Sequence, residues 1–525
     1  MNRRVYTKTL LAALTAALGF AAEAPVIPQP VKVTAEKGLF VLKADSPLVA
    51  GREARAAGRL LETALSLRAK EGRKPPKGGV AVVVDRRIQV PSDEGYILEV
   101  TPSGAVIRGK SPAGAFYGAQ TFLQLMAPGA AKGPVREIRC LRIEDYPRFQ
   151  WRGAMLDPAR HFIAKENILK FIDVLAMQKM NVLHLHLTDD QGWRMEIKKY
   201  PLLTEIGSQR SQTRVGHERE KKGFDGKPHG GYYTQDDLRE IVAWAAERFI
   251  TVVPEIEMPG HATAAIAAYP ELGNTGKKIE VSAQWGIHKD VFNVEEKTIR
   301  FLQDVLEEVL SIFPGRYIHV GGDEVPLDQW KASPAAQARM KELGLKQEVE
   351  LHGYFIRRMD EFLRKRGRRL IGWDEILEGG VDPSAAVMSW RGSKGGIEAA
   401  RAGHDVVMAP NTHTYFDYYQ AKDPKEPLAI GGFLPLERVY SFDPVPAELK
   451  MHEAKRILGA QGQLWAEYIP TFEHLEYMAF PRLTALAEVA WTPKERKDYA
   501  GFLRRWKVFE LRLKERGVRF RPVSD

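Results

Sequence analysis

At 525 residues the chain exceeds the usual size of one hydrophobic core, so two domains are expected, one of them large enough to enclose a deep pocket. Its single cysteine, Cys140, excludes intrachain disulfides, and core packing must hold the fold alone. The formal net charge of +10 invites a nucleic-acid reading until it is located: residues 1–22 contribute +3 and residues 494–525, with 11 Lys+Arg against 5 Asp+Glu, contribute +6, which leaves the remainder near neutral with no nucleic-acid module.

Residues 1–22 carry Arg3, Arg4 and Lys8 without an acid, then an apolar run from Leu10 to Ala22 with small residues near Ala21 and Ala24. This pattern reads as a secretory signal peptide and is too short for a span, so a soluble, exported protein, periplasmic or secreted, is expected. Residues 25–148 hold alternating segments such as Val80–Val84, Gly95–Val100 and Ala105–Arg108, with a helical stretch from Ala113 to Leu125. They predict a small α+β domain in which Cys140, inside an alternating strand pattern, is a packed structural residue.

From Phe149 onward short apolar strands alternate with long amphipathic helices, for example Gln235–Arg248 and Val349–Arg366, which implies parallel strands with helical crossovers. Eight strands are predicted, at 153–156, 182–186, 250–254, 317–320, 369–373, 386–390, 405–409 and 459–464. Eight βα units spread over 149–525 predict a (β/α)8 TIM barrel with long insertions, ending in an amphipathic closing helix around Phe502, Trp506 and Phe509.

Such a barrel builds its active site at the carboxyl ends of the strands. The first strand ends in Asp157 and Arg160-His161-Phe162; the second supplies His184, His186 and Thr188-Asp189-Asp190-Gln191; the third supplies Glu255, Glu257 and Pro259-Gly260-His261. The fourth ends in Gly321-Gly322-Asp323-Glu324, the fifth in Trp373-Asp374-Glu375, and the sixth in Trp390-Arg391; Tyr415 and Asp417 follow the seventh, and Trp465 and Glu467 the eighth. Alone, an Asp-Glu pair behind two glycines fits a turn. Beside three tryptophans and an arginine it fits a sugar site, because C–H faces stack on aromatic walls while hydroxyls take charge-assisted hydrogen bonds.

Glycoside hydrolysis by two facing carboxylates requires them about 5 to 5.5 Å apart in a retaining enzyme, and neighbours in sequence rarely face each other. A 2-acetamido substrate removes the difficulty. Its carbonyl oxygen can attack the anomeric carbon, leaving one acid to protonate the leaving group and one carboxylate to orient the amide N–H.

These motifs, with His184-Leu185-His186, Gly372-Trp373-Asp374-Glu375 and Trp465-Ala466-Glu467, resemble glycoside hydrolase family 20, the exo-acting β-N-acetylhexosaminidases. The resemblance implies Glu324 as general acid and then base, Asp323 on the acetamido nitrogen and Tyr415 on its oxygen. It implies Trp373, Trp390 and Trp465 as pocket walls, and Arg160, Asp417 and Glu467 on the outer hydroxyls of the terminal sugar. Asp189 and His261 would relay to the acid. Glu257 stands where the family often has aspartate, so it is kept as a supporting residue only. No cofactor and no metal are expected; the partner would be an oligosaccharide or glycoconjugate ending in N-acetylhexosamine, while oligomeric state and the choice between N-acetylglucosamine and N-acetylgalactosamine stay open.

Two rival readings use the same residues. His184-x-His186 points two imidazoles to one side of a strand, as a metal-dependent hydrolase would need, and His261 could join them. A non-catalytic carbohydrate-binding protein would use the tryptophans and Arg160 but has no use for the acid pair.

Overall fold

The computed structural model describes residues 24–523, and the leader read in residues 1–22 lies outside them. Cα packing divides the chain into two units, one running to Arg148 and taking in Trp491–Gly517, the other comprising Phe149–Ala490 and the residues from Val518.

The first unit is a seven-stranded mixed sheet with helices Arg55–Leu65 and Pro112–Gln124. Its strand order is Lys32–Lys43, Val135–Asp145, Tyr96–Thr101, Gly104–Gly109, Gly79–Val84, Leu48–Ala50, Ala69–Glu71. Gly79–Val84, expected as an alternating segment, is instead an apolar run buried along its whole length, as a strand covered on both faces requires. The helix Pro112–Gln124 is begun by Ser111, whose hydroxyl accepts from Gly114 N, and by a proline in its first turn. Cys140 is buried, and burial pushes its thiol up.

The C-terminal helix Tyr499–Glu515 belongs to this first unit and does not close the barrel as its amphipathic pattern suggested. The physical reason is Arg512. Its buried guanidinium donates to the carbonyls of Leu123, Gln124 and Met126 at the end of helix Pro112–Gln124. Amphipathic periodicity names the face that is buried but not the surface that buries it.

The second unit is a closed barrel of eight parallel strands, β1(Trp151–Leu156), β2(Val182–His186), β3(Thr251–Glu255), β4(Tyr317–His319), β5(Arg369–Trp373), β6(Ala386–Ser389), β7(Val406–Met408) and β8(Ile457–Leu464). All eight expected strands are present. Each pairs with the next, and β8 returns to β1 in register from Gly459↔Trp151 to Leu464↔Leu156. The lower interior is apolar, with Trp151, Val182, Val253, Ile371, Met388 and Val407 in one cluster.

Above that floor the interior becomes polar. Gln461 spans the change, accepting from the Trp151 indole N–H at 3.1 Å and reaching His184 Nδ1 at 2.9 Å. The buried His184, Glu255 and His319 then occupy the level beneath the pocket. In the long insertion after β2, Gln209–Arg210 pairs with His229–Gly230 to make a small ribbon.

Candidate active site

The strand ends open into a cavity of about 320 Å³ whose lining includes Arg160, His261, Asp323, Glu324, Trp373, Trp390, Tyr415, Asp417, Trp465 and Glu467. Ten of the twelve residues singled out from sequence therefore share one pocket; Asp189 and Glu257 lie behind its surface.

Directly after β4 the backbone takes left-handed angles three times, at Gly321 (φ 65), Gly322 (φ 91) and Glu324 (φ 50). A side chain at Gly321 would place its Cβ 1.7 Å from Glu257 Oε2, so the glycine is required by the carboxyl packed against it. The reversal delivers two adjacent acids into unlike surroundings. Asp323 is buried, and desolvation pushes its carboxyl up to about 6 against the pull of charged His261. The Glu324 side chain remains one third exposed, facing the pocket.

His261, itself at φ 48, stands between the acids, with Nε2 3.7 Å from Asp323 and 3.6 Å from Glu324. Burial would neutralise its ring, but Asp189 and the hydrogen bonds around it hold the imidazole protonated well above the usual range. Its Nδ1 lies 3.0 Å from Asp190 Oδ2 and 3.3 Å from Asp189 Oδ1. Asp189, expected in this relay, is thus joined by Asp190, which is the nearer of the two. Asp190 is further fixed by the backbone N–H and hydroxyl of Thr263.

Asp189 ties this cluster to the substrate wall. It accepts from Arg160 at 2.8 Å and from His186 Nε2 at 2.8 Å. Arg160 also reaches Asp157 and Gln191 and lies 5.1 Å above the ring of Trp465. His186 hydrogen-bonds Glu255 through its other nitrogen; desolvation lowers its affinity for a proton, but Glu255 and Asp189 raise it to about 10.

Glu255, collected at the end of the third strand but given no role from sequence, is a hub. Its carboxylate meets His184 at 3.0 Å, His319 at 2.8 Å and the indole N–H of Trp373 at 2.8 Å, besides His186. Burial would keep it neutral, yet these histidines bring it well below the usual carboxylate range. The arrangement bears on the metal reading. The donor atoms of His184, Glu255 and His319 lie within 4.8 Å of one another, and both histidines are engaged by the Glu255 carboxylate.

Glu257 makes no hydrogen bond through either oxygen and approaches His186 only to 3.9 Å. Burial, with Asp323 and Glu255 nearby, pushes its carboxyl well above the usual range, so it is held as a neutral acid beside the relay and is not a member of it.

The aromatic wall is built from four strand ends. Trp390 stacks on Tyr415 with centroids 6.0 Å apart, and Trp373 lies 5.7 Å from Trp465. The Trp390 indole N–H is held by Glu375, whose carboxyl burial and Asp323 push up to about 8. Asp417 and Glu467 complete the far end; burial raises both, Glu467 against the opposing charge of Arg160. Trp285, Ile287, Ile430 and Tyr468 also line the cavity, contributed by irregular loops with no periodicity by which to find them.

Comparison with known proteins gives consistent findings. Residues 149–494 match the model for "Glycosyl hydrolase family 20, catalytic domain" and residues 23–146 that for "Glycosyl hydrolase family 20, domain 2". A beta-hexosaminidase of Porphyromonas gingivalis is 45% identical over 508 residues, covering 94% of this chain; this chain spans 64% of that relative's length. Among solved structures, the exo beta-N-acetylglucosaminidase of Vibrio harveyi, in complex with N-acetylglucosamine, superposes with a TM-score of 0.83 at 34% identity over 95% of this chain and 78% of that one. The beta-N-acetylhexosaminidase of Streptomyces coelicolor A3(2) gives 0.82 at 30% identity over 96% and 98%. Among the described residues no helix is long and apolar enough to cross a membrane.

Proposed function

Since this chain belongs to glycosyl hydrolase family 20, we propose that it is an exo-β-N-acetylhexosaminidase, releasing terminal non-reducing N-acetyl-β-D-hexosamine with retention through the substrate's own 2-acetamido group. The reading rests on one observation above others: two neighbouring carboxyls, one buried and one open to the pocket, that share a single charged imidazole.

Glu324 donates a proton to the glycosidic oxygen as the C1–O bond breaks. The acetamido carbonyl oxygen attacks C1 from the opposite face, and the electron pair leaves with the protonated aglycone. Asp323 accepts the amide N–H and balances the positive charge that grows on the acetamido group, while the Tyr415 hydroxyl donates to its oxygen. Glu324, now ionised, removes a proton from water, which opens the cyclic intermediate at C1 and restores the starting configuration. Trp373, Trp390 and Trp465 hold the methyl and the sugar face, and Arg160, Asp417 and Glu467 take the outer hydroxyls. His261, set by Asp190 and Asp189, positions both acids. The substrate is an oligosaccharide or glycoconjugate, reached after export directed by residues 1–22. Mass spectrometry of the protein from the expressing cell's exterior should find an N-terminus near residues 21 to 25, and an intact Met1 there would contradict export by cleavage.

The direct test uses an aryl N-acetyl-β-glucosaminide. Glu324→Gln should lower kcat by roughly 10² to 10⁴ while a product sugar still binds. Asp323→Asn should act severely on 2-acetamido substrates. Full activity in the first variant would remove Glu324 from the role of acid, no hydrolysis by the unaltered protein would return it to the non-catalytic carbohydrate-binding class, and full activity in the second variant would remove the assisted step.

A further inference from the structure

Three loops meet at the Arg160–Glu467 end of the pocket and are pinned to one another through a single imidazole. His217, on the loop after β2, donates from Nε2 to the carbonyl of Ile430, on the loop after β7, at 2.9 Å. Its Nδ1 accepts from Arg219 N at 3.2 Å, so the neutral ring with a proton on Nε2 satisfies both contacts. The face of that ring lies on Tyr468, after β8, with centroids 5.1 Å apart and planes 11° apart. The Tyr468 hydroxyl in turn accepts from Glu218 N at 3.1 Å.

The same cluster reaches the sugar-binding end of the cavity. Trp285, on the loop after β3, lies 6.3 Å from Tyr468 and 5.5 Å from His161, beneath the guanidinium of Arg210, which donates to the carbonyl of Arg160 at 2.7 Å. On the other side, Gly432 (φ 66) runs so close to Tyr418 that a Cβ would meet its ring at 2.4 Å. Glu218, Trp285, Tyr418, Ile430 and Tyr468 all line the cavity. None of the contacts that close this end involves Asp323 or Glu324.

We infer that His217 and Tyr468 form a latch that shuts the Arg160–Glu467 end of the pocket and thereby sets which substituents the terminal sugar can carry on hydroxyls remote from the scissile bond. The inference rests on the proposed hexosaminidase reading. His217 is a specificity-determining residue that acts by holding loops, since it makes no contact with the acid pair. A substituted 3-, 4- or 6-hydroxyl is rejected because the loops cannot part without losing the Ile430 contact and the ring stack together.

The test compares kcat/KM for an aryl N-acetyl-β-glucosaminide with that for its 3-O-, 4-O- and 6-O-methyl ethers. In His217→Ala the ether-to-parent ratio should rise about tenfold for at least one ether, as expected for loss of a hydrogen bond and a stack. Tyr468→Phe, which keeps the ring and loses only the hydroxyl, should raise the same ratio by less. A general loss of packing would lower both substrates alike and leave the ratio unmoved. Ratios within about twofold of the unaltered protein for all three ethers in both variants would overturn the latch. Failure of the unaltered protein to cleave the parent compound would instead overturn the activity on which the latch rests.

Discussion

Asp323 and Glu324 are separated by one peptide bond and by a large difference in solvation. The left-handed turn at Glu324 swings its carboxyl toward the open pocket, whereas Asp323 stays buried and titrates near 6. If Asp323 must be ionised to orient the acetamido group, kcat/KM should rise as pH increases through about 6, because a carboxyl whose affinity for protons is raised loses its charge at and below that value. Asp323→Asn should abolish this acid limb; a limb that persists at the same pH in the variant would assign it to another group. His261 contributes by its charge: Asp189 keeps it protonated, and its proximity holds Asp323 below the value that desolvation alone would give.

At the scale of elements, the turn after β4 and the end of β3 are fitted to one another. Gly321 leaves the volume that the Glu257 carboxyl fills, and the extra methylene of glutamate relative to aspartate makes that fit tight. Gly321→Ala combines a collision with a positive φ and should cost about 2 to 4 kcal/mol in urea unfolding. Adding Glu257→Ala should recover part of the loss by removing the collision while leaving the backbone strain; no recovery in the double variant would mean that strain alone sets the cost. The fit also explains the neutral, unpartnered state of Glu257, which an exposed or hydrogen-bonded carboxyl would not share.

At the scale of the molecule, the two packing units are not continuous in sequence, because Trp491–Gly517 returns to the first. Arg512 is the specific link, and burial lowers its guanidinium to about 10 without removing its charge at neutral pH. Arg512→Ala should cost about 2 kcal/mol by removing the buried donor that these carbonyls share. Hydrogen exchange should quicken in Pro112–Gln124; loss of protection confined to the barrel helices would contradict this assignment. The formal charge of +10, which a whole-chain count makes conspicuous, is partly engaged in such internal contacts.

The eight barrel strands were legible because each is a short apolar run bounded by turns, and parallel strands covered on both faces need little else to declare themselves. The pocket residues were legible for a related reason: strand ends converge in a closed barrel, so chemistry spaced over three hundred residues can be collected by register. What only the tertiary structure decided is how charges pair once collected. Asp190 comes nearer to His261 than Asp189, Glu255 gathers three histidines and a tryptophan, and Glu257 is left without a partner, none of which follows from side-chain type or spacing. The loops bearing His217, Trp285 and Ile430 carry no periodic signal, and the terminal helix carries one that fits any apolar surface. Local sequence therefore determined which elements form and which faces they bury, while long-range packing alone chose their partners and, through burial, the protonation of the acids at the site.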